Sequence, residues 1–249
     1  MNGDKRVSRK FAFWMFVGVL SVLPALQGCA QKQEATLDAS EPTSKETSGT
    51  YASSEKTAFE KNVSGAKNAG AKVSSNGVFK LFPVYTDGKS PDNHYIPSGW
   101  MGDFGDMKFN DKFMEKPHSG TTSIQIIYNN KATQGACWAG IYWQNPPNNW
   151  GTRPGGYDLT GSKKLTFWAR GDKGGERIEE FKMGGITGEF ADSDAAGIGP
   201  VTLTQDWRQY TIDLSGKDLS SISGGFCWAT NLDVNPDGAT FYLDDIKYE

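Results

Sequence analysis

Histidine and cysteine are scarce: the 249 residues include two His, His94 and His118, and three Cys, Cys29, Cys137 and Cys227. Both histidines stand beside turn residues. There is no Gly-x-Ser-x-Gly, no His-Glu-x-x-His and no phosphate loop, which excludes the enzyme classes that announce themselves by those motifs. A basic excess is missing as well. Lys and Arg number 26 against 29 Asp and Glu. Four of the cations (Lys5, Arg6, Arg9 and Lys10) fall in the first 28 residues beside one acid, Asp4, so everything after them carries a net charge of −6. Nucleic-acid binding needs a basic face, and that balance argues against it. No apolar run is long enough to span a bilayer comfortably; the candidate, Phe11 to Ala25, has the length of a secretory signal core. After Val78 no segment keeps a helical apolar period, and no repeat of fixed period appears.

What is present begins with that signal. A cationic head precedes the apolar run, which ends in Leu26-Gln27-Gly28-Cys29. A Leu, then a small residue directly before Cys, resembles the lipobox of bacterial lipoproteins, although Gln27 is a less usual occupant of its position. The resemblance implies cleavage before Cys29 and acylation there, with several acyl chains giving a stable membrane anchor. It also implies a location in a bacterial cell envelope. Ala30 follows the Cys, so no Asp suggests inner-membrane retention, and the outer membrane is the default in a Gram-negative host.

Residues 29–77 are rich in Ser, Thr, Glu, Lys, Ala and Gly, with few large apolar side chains beyond Tyr51 and Phe59. Such a stretch cannot bury a core and reads as a flexible stalk. A short helix around Thr57–Lys67 is marginal alone. From Val78 to Glu249 the composition changes. Val78–Tyr85, Thr122–Tyr128, Ala136–Trp143, Lys164–Arg170, Arg177–Met183, Val201–Leu203, Arg208–Leu214, Gly224–Ala229 and Thr240–Lys247 read as strands between Gly/Pro breakers. Many short strands over one domain, 78–249, point to an all-β fold, a β-sandwich or jelly roll. Cys137 and Cys227 sit in twin contexts, Ala136-Cys137-Trp138-Ala139 and Phe226-Cys227-Trp228-Ala229. In an oxidising compartment they are either a bridge between strands or two buried thiols.

Four segments carry a family likeness. Asp206-Trp207-Arg208-Gln209-Tyr210-Thr211-Ile212-Asp213-Leu214 resembles the W-x-x-Y-x-I-D-L strand of galactose-binding-like jelly rolls. Thr240-Phe241-Tyr242-Leu243-Asp244-Asp245-Ile246 resembles their last strand. His118-Ser119-Gly120 resembles the turn that opens their second strand. Tyr157-Asp158-Leu159-Thr160 before Leu165–Arg170 resembles their D-L-S…L-x-F-W segment. Many carbohydrate-binding modules belong to this group, and so do domains with other tasks, so the fold does not settle the function. The resemblance further implies a structural Ca2+, held by Asp245 with ligands near Asp87 and Glu115–His118; alternation along the last strand turns Asp245 inward beside Phe241 and Leu243.

Three sets of residues are candidates for function. A sugar offers an apolar face of C–H groups and a rim of hydroxyls, so its site needs flat aromatics with amide, carboxylate or guanidinium groups nearby. Strand alternation places Trp138 and Tyr142 on one face of their segment, opposite Ala139 and Ile141, and by the same logic Trp228 joins them. The alternative is that these aromatics are core. The loop from Gln144 to Tyr157 is polar and Pro-stiffened and brings Trp150, Arg153 and Tyr157; the loop 95–104 brings Trp100. Carboxylates among Asp103, Asp106, Glu189, Asp192 and Asp194 are candidates for a glycosidase pair. The leading expectation is a lipoprotein that binds a polysaccharide or glycan without cleaving it. A glycan hydrolase or lyase, and a structural lipoprotein docking another protein, are the alternatives.

Overall fold

The computed structural model describes residues 78–249. The signal, Cys29, the stalk and the Thr57–Lys67 helix lie outside them. Among the described residues no helix is long and apolar enough to cross a membrane.

The strands are β1 (Phe82–Tyr85), β2 (Ile96–Gly102), β3 (Met107–Phe113), β4 (Ser123–Tyr128), β5 (Trp138–Gln144), β6 (Lys164–Gly171), β7 (Arg177–Ile178), β8 (Glu180–Gly184), β9 (Ala195–Ile198), β10 (Val201–Thr202), β11 (Arg208–Asp213), β12 (Gly224–Asn231) and β13 (Ala239–Tyr248). They form an all-β jelly-roll sandwich. One sheet runs β11-β6-β13-β4-β3, with β1 also paired to β13; the other runs β2-β5-β12-β8-β9; β10 and β7 make a small ribbon. Every pairing in both sheets is antiparallel.

Period-two alternation builds the core. Leu165, Phe167 and Ala169 of β6, with Phe241 and Leu243 of β13, face Ala139, Ile141 and Trp143 of β5, Phe226 and Trp228 of β12, and Phe181 and Met183 of β8. Ile212 and Leu214 join this core and Tyr210 packs against it, as the alternation of that segment predicts. Trp168 points the opposite way from Phe167. Its outward face is covered by the His118 ring, stacked at 3.7 Å.

Three strands were not legible as such. β2 contains Pro97, Gly99 and Gly102, β3 is largely polar, and β9 reads Ala-Ala-Gly-Ile. Each forms because a neighbouring strand supplies an edge for it. The predicted Arg177–Met183 strand is two pieces, β7 and β8, which join different sheets.

β13 breaks its own alternation. Asp245 has φ of 47°, and the register to β6 shifts between Asp244 and Lys247. This bulge returns Ile246 and Tyr248 to the core and keeps Asp245 out of it. The inward placement expected for Asp245 is thereby corrected. Asp244 is instead the fully buried carboxylate, accepting hydrogen bonds from the backbone N–H of His118 at 2.9 Å and of Asp245 at 2.8 Å.

Candidate functional site

The outer face of the β2-β5-β12-β8-β9 sheet is laid out in rows across the strands. One row reads Met101, Gly140, Ala229, Glu180; the next reads Gly99, Tyr142, Cys227, Lys182, Gly197; Trp138 opposite Asn231 flanks the first. At ~4.8 Å between strands, four steps give a track of ~19 Å. Small residues (Gly99, Gly140, Ala229 and Gly197) stand in it beside Met101, Tyr142, Glu180 and Lys182. A side chain at Gly140 has no room, because a Cβ there would stand 2.6 Å from the Trp228 carbonyl oxygen and 3.0 Å from the Met101 methyl.

Aromatic and apolar groups line one side of this track. Trp138 is half-buried at one end. Tyr142 is 4% exposed, packs with Ile186, Cys227 and Met101, and donates its hydroxyl to the Gly184 carbonyl at 3.1 Å. Trp150 stands edge-on to Tyr142 with ring centroids 5.8 Å apart, and 42% of it remains exposed. Lys182 reaches over the Tyr142 ring at 5.4 Å and pairs with Glu180 at 3.2 Å. The face therefore combines flat rings with a cation, a carboxylate and the Asn231 amide.

The loop that presents Trp150 is tied down by amides. Ser98 donates to Gln144 Oε1 at 3.0 Å, Gln144 Nε2 donates to the Asn149 carbonyl at 3.0 Å, and Asn149 Nδ2 donates to the Arg153 carbonyl at 2.9 Å. Gln144 and Asn149 are both fully buried. Trp150 is thus carried on a fixed support, which limits the ordering cost of any contact it makes.

Several candidates fall elsewhere. Trp228 is fully buried in the core, edge-on to Phe241 at 4.9 Å, because β12 pairs with β5 in a register that sets Cys227, and not Trp228, beside Tyr142. Tyr157 donates to the His94 carbonyl at 2.9 Å and packs in a cluster with Phe82, His94 and Tyr95, so it supports the fold. Trp100 lies opposite Ile141 and packs edge-on against Phe109 at the margin of the sandwich, 38% exposed. Arg153 is exposed and donates to the Pro147 carbonyl of its own loop. Met101, Glu180 and Lys182 were missed by sequence reasoning. Their segments carry no motif, and only the cross-strand register brings them to the face.

Cys227 is a free, buried thiol, so it is not bridged to Cys137. Burial pushes the thiol far above its ordinary range, which leaves it without the thiolate a nucleophile needs.

The acidic candidates clamp loops. Asp103 accepts backbone N–H bonds from Gln134, Ala136 and Cys137 at 2.6 to 3.0 Å. Asp106 accepts from Thr133. Asp192 accepts from Ile186, Ser223 and Gly224, and burial still lifts its carboxyl above the usual range. Asp194 is bonded to Ala195 and Lys217.

The residues expected to hold Ca2+ are engaged in separate hydrogen bonds. Asp87 Oδ1 receives N–H and O–H donors from both Thr121 and Thr122, at 2.7 to 3.1 Å. Asp245 Oδ2 is shared by His118 Nδ1 and Ser119 Oγ, each at 2.8 Å. Glu115 is exposed on the rim of another hollow. These donors occupy Asp87 Oδ1 and Asp245 Oδ2. Among the described residues no group of three His, Cys, Asp or Glu is placed to hold a metal.

No family model matches the chain, and no curated protein does. Solved structures with a similar chain trace exist. A family 30 carbohydrate-binding module is 16% identical, covering 69% of this chain and 99% of its own, with a TM-score of 0.48. The family 30 module of a cellulosomal cellulase of Clostridium thermocellum is 15% identical, covering 69% and 98%, at 0.47. A family 11 module from the same organism, in complex with a β-1,3-1,4-mixed-linked tetrasaccharide, is 14% identical, covering 61% and 84%, at 0.37. No site residue is carried over from them.

Proposed function

We infer that this chain is an envelope-anchored lipoprotein whose β-sandwich binds carbohydrate without cleaving it. The observation that carries the reading is the outer face of the β2-β5-β12-β8-β9 sheet, where the half-buried Trp138 and the exposed Trp150, the latter edge-on to the buried Tyr142 ring, stand beside Glu180, Lys182 and Asn231. Flat rings meet the C–H face of a sugar, and the charged and amide groups meet its hydroxyls. A track of ~19 Å suits a polysaccharide segment rather than one sugar. Two observations support binding without cleavage. Asp103, Asp106, Asp192 and Asp194 are each engaged by backbone or side-chain donors and none is a member of the rows that make the track, and Glu180, which is in those rows, is paired with Lys182 and stands there without the second carboxylate that a glycosidase uses. The lipid on Cys29 would hold this domain at the membrane, with residues 29–77 as the tether.

The test is a polysaccharide pull-down with the full chain, comparing wild type with Trp138→Ala and Trp150→Ala. Saturable binding that both substitutions weaken, in variants that keep the wild-type melting temperature, supports the reading. Absence of binding to a broad polysaccharide set by a folded chain overturns it. The anchor is tested separately, by palmitate incorporation in wild type and Cys29→Ser; equal labelling of the two would remove Cys29 as the acylated residue.

A further inference from the structure

A second hollow lies on the opposite sheet, over the outer side of β6 and β13. It encloses about 470 Å3, within the ~300–1,000 Å3 usual for small-molecule pockets. At its base is Arg170, only 9% exposed. The guanidinium lies 3.7 Å from the Tyr242 ring centroid and 5.3 Å from that of Trp207. These rings hold it flat but do not satisfy its donors. Arg170 Nε is buried with no hydrogen-bond partner, and Nη1 reaches only the Gly171 carbonyl, at 3.5 Å. Among the described residues no carboxylate forms an ion pair with it.

Leaving guanidinium donors unpaired in a buried place is costly, and a ligand oxygen in the hollow would relieve that cost. Asp172 supplies the complement. Its Oδ1 accepts the Tyr242 hydroxyl at 2.9 Å, while Oδ2 has no donor among the described residues. Trp207, its Nε1 held by the Lys116 carbonyl at 3.0 Å, stands as an aromatic wall together with Phe113.

The donor and acceptor set points to the class of ligand. The charged lining is Arg170 and Lys116 with Glu115, Asp172 and Asp206. A ligand that pairs both open groups must offer an acceptor to Arg170 and a donor to Asp172 Oδ2, as a neutral polyol does and a simple carboxylate does not. We propose that this hollow is a second binding site, independent of the track on the other sheet, for one neutral sugar residue recognised through a vicinal diol. One hydroxyl oxygen accepts from Arg170, the neighbouring hydroxyl donates to Asp172 Oδ2, and the C–H face of the ring meets the aromatic wall.

The experiment offers the full chain glucose, galactose, mannose and xylose as neutral probes, and glucuronate and acetate as anionic ones. The readouts are the Nε–H resonance of Arg170 in 15N NMR and tryptophan fluorescence. At least one neutral sugar is expected to move the Arg170 resonance saturably. Asp172→Asn, on an exposed side chain, is expected to weaken that binding ten-fold or more without altering the fold. Arg170→Lys should abolish the fluorescence response, since an ammonium cannot reproduce the planar donor set. Trp138→Ala should leave the response unchanged. The site is overturned if no neutral sugar moves the resonance, if Asp172→Asn binds like wild type, or if only glucuronate and acetate bind. Variants of the track and variants of the hollow report on opposite sheets, so failure here is distinguishable from failure of the polysaccharide reading.

Discussion

Replacing Trp138 or Trp150 by Ala removes a ring that faces outward, and so tests binding with little effect on folding. Each ring is expected to contribute on the order of 1–2 kcal/mol through apolar surface covered by ligand. That corresponds to a loss of about five- to thirty-fold in polysaccharide affinity per substitution, read by affinity electrophoresis or calorimetry. Trp228→Ala has the opposite profile. Its side chain is wholly inside the core, against Phe241. The cavity left by truncation should cost about 3–5 kcal/mol, seen as a lowered denaturation midpoint. If Trp228→Ala kept wild-type stability and lost only binding, the core placement of that ring would be refuted. The free thiol makes a third contrast at this scale. Cys227 lies under Tyr142 with its ionisation suppressed by burial, so thiol reagents are expected to leave it unmodified in the native chain and to label it after unfolding.

At the scale of the element, the useful question is why one strand's faces were legible and another's were not. The predicted segment Ala136–Trp143 overlaps β5 and its faces follow alternation: Ala139 and Ile141 enter the main core, and Trp138 and Tyr142 share the other face, where Tyr142 is itself covered in a small cluster with Ile186 and Cys227. Gly224–Asn231 offers no such signal: Phe226, Cys227, Trp228 and Ala229 are all apolar, so alternation is satisfied in either sense. Only pairing decides it, by setting Trp228 across from Ile141 and Cys227 across from Tyr142. The same limit applies to β13, where alternation alone misplaces Asp245 because the bulge adds a residue that the sequence does not announce. The overall sandwich was legible from strand density and turn residues, whereas β2, β3 and β9 exist through neighbours and had no local pattern to read. One element-level device has a measurable weight. Asp103 collects three backbone N–H groups of the turn that leads into β5. Asp103→Ala leaves those donors unpaired and should cost about 3 kcal/mol, lowering the melting temperature by roughly 6–12 °C. A shift under a degree would mean that water replaces the carboxylate at no penalty.

For the whole molecule, stability depends on pH through carboxylates that pull in two directions. Burial in the sandwich raises Asp244 from 3.8 to about 7, and the nearby Asp245 carboxylate adds to this, against the backbone N–H donors of Ser119, Asp245 and His118. His118 and Tyr85 are the other titratable groups beside this cluster. Between about pH 4 and 7 the folded chain therefore keeps a proton that the unfolded chain has released. The stability linked to Asp244 is complete below the unfolded value and declines as pH rises toward 7. Three pH units bound the loss at about 4 kcal/mol. Asp192 acts in the same sense, raised by burial. Asp194, lowered by its bonds to Ala195 and Lys217, and Glu249, lowered by its bond to Thr166, act in the other: their contribution is present above the unfolded values and fades in acid. Together these place the stability maximum on the mildly acidic side, near the crossing of the two trends. Denaturant titrations at half-unit pH steps should find the midpoint falling from about pH 5 to pH 7. In Asp244→Asn the slope over that range should flatten, while the midpoint at the acidic end drops by the equivalent of about 1–2 kcal/mol, because an amide cannot accept on both sides as the carboxyl group does. An unchanged slope in Asp244→Asn would assign the titration to another group, with Asp192→Asn the next variant to measure.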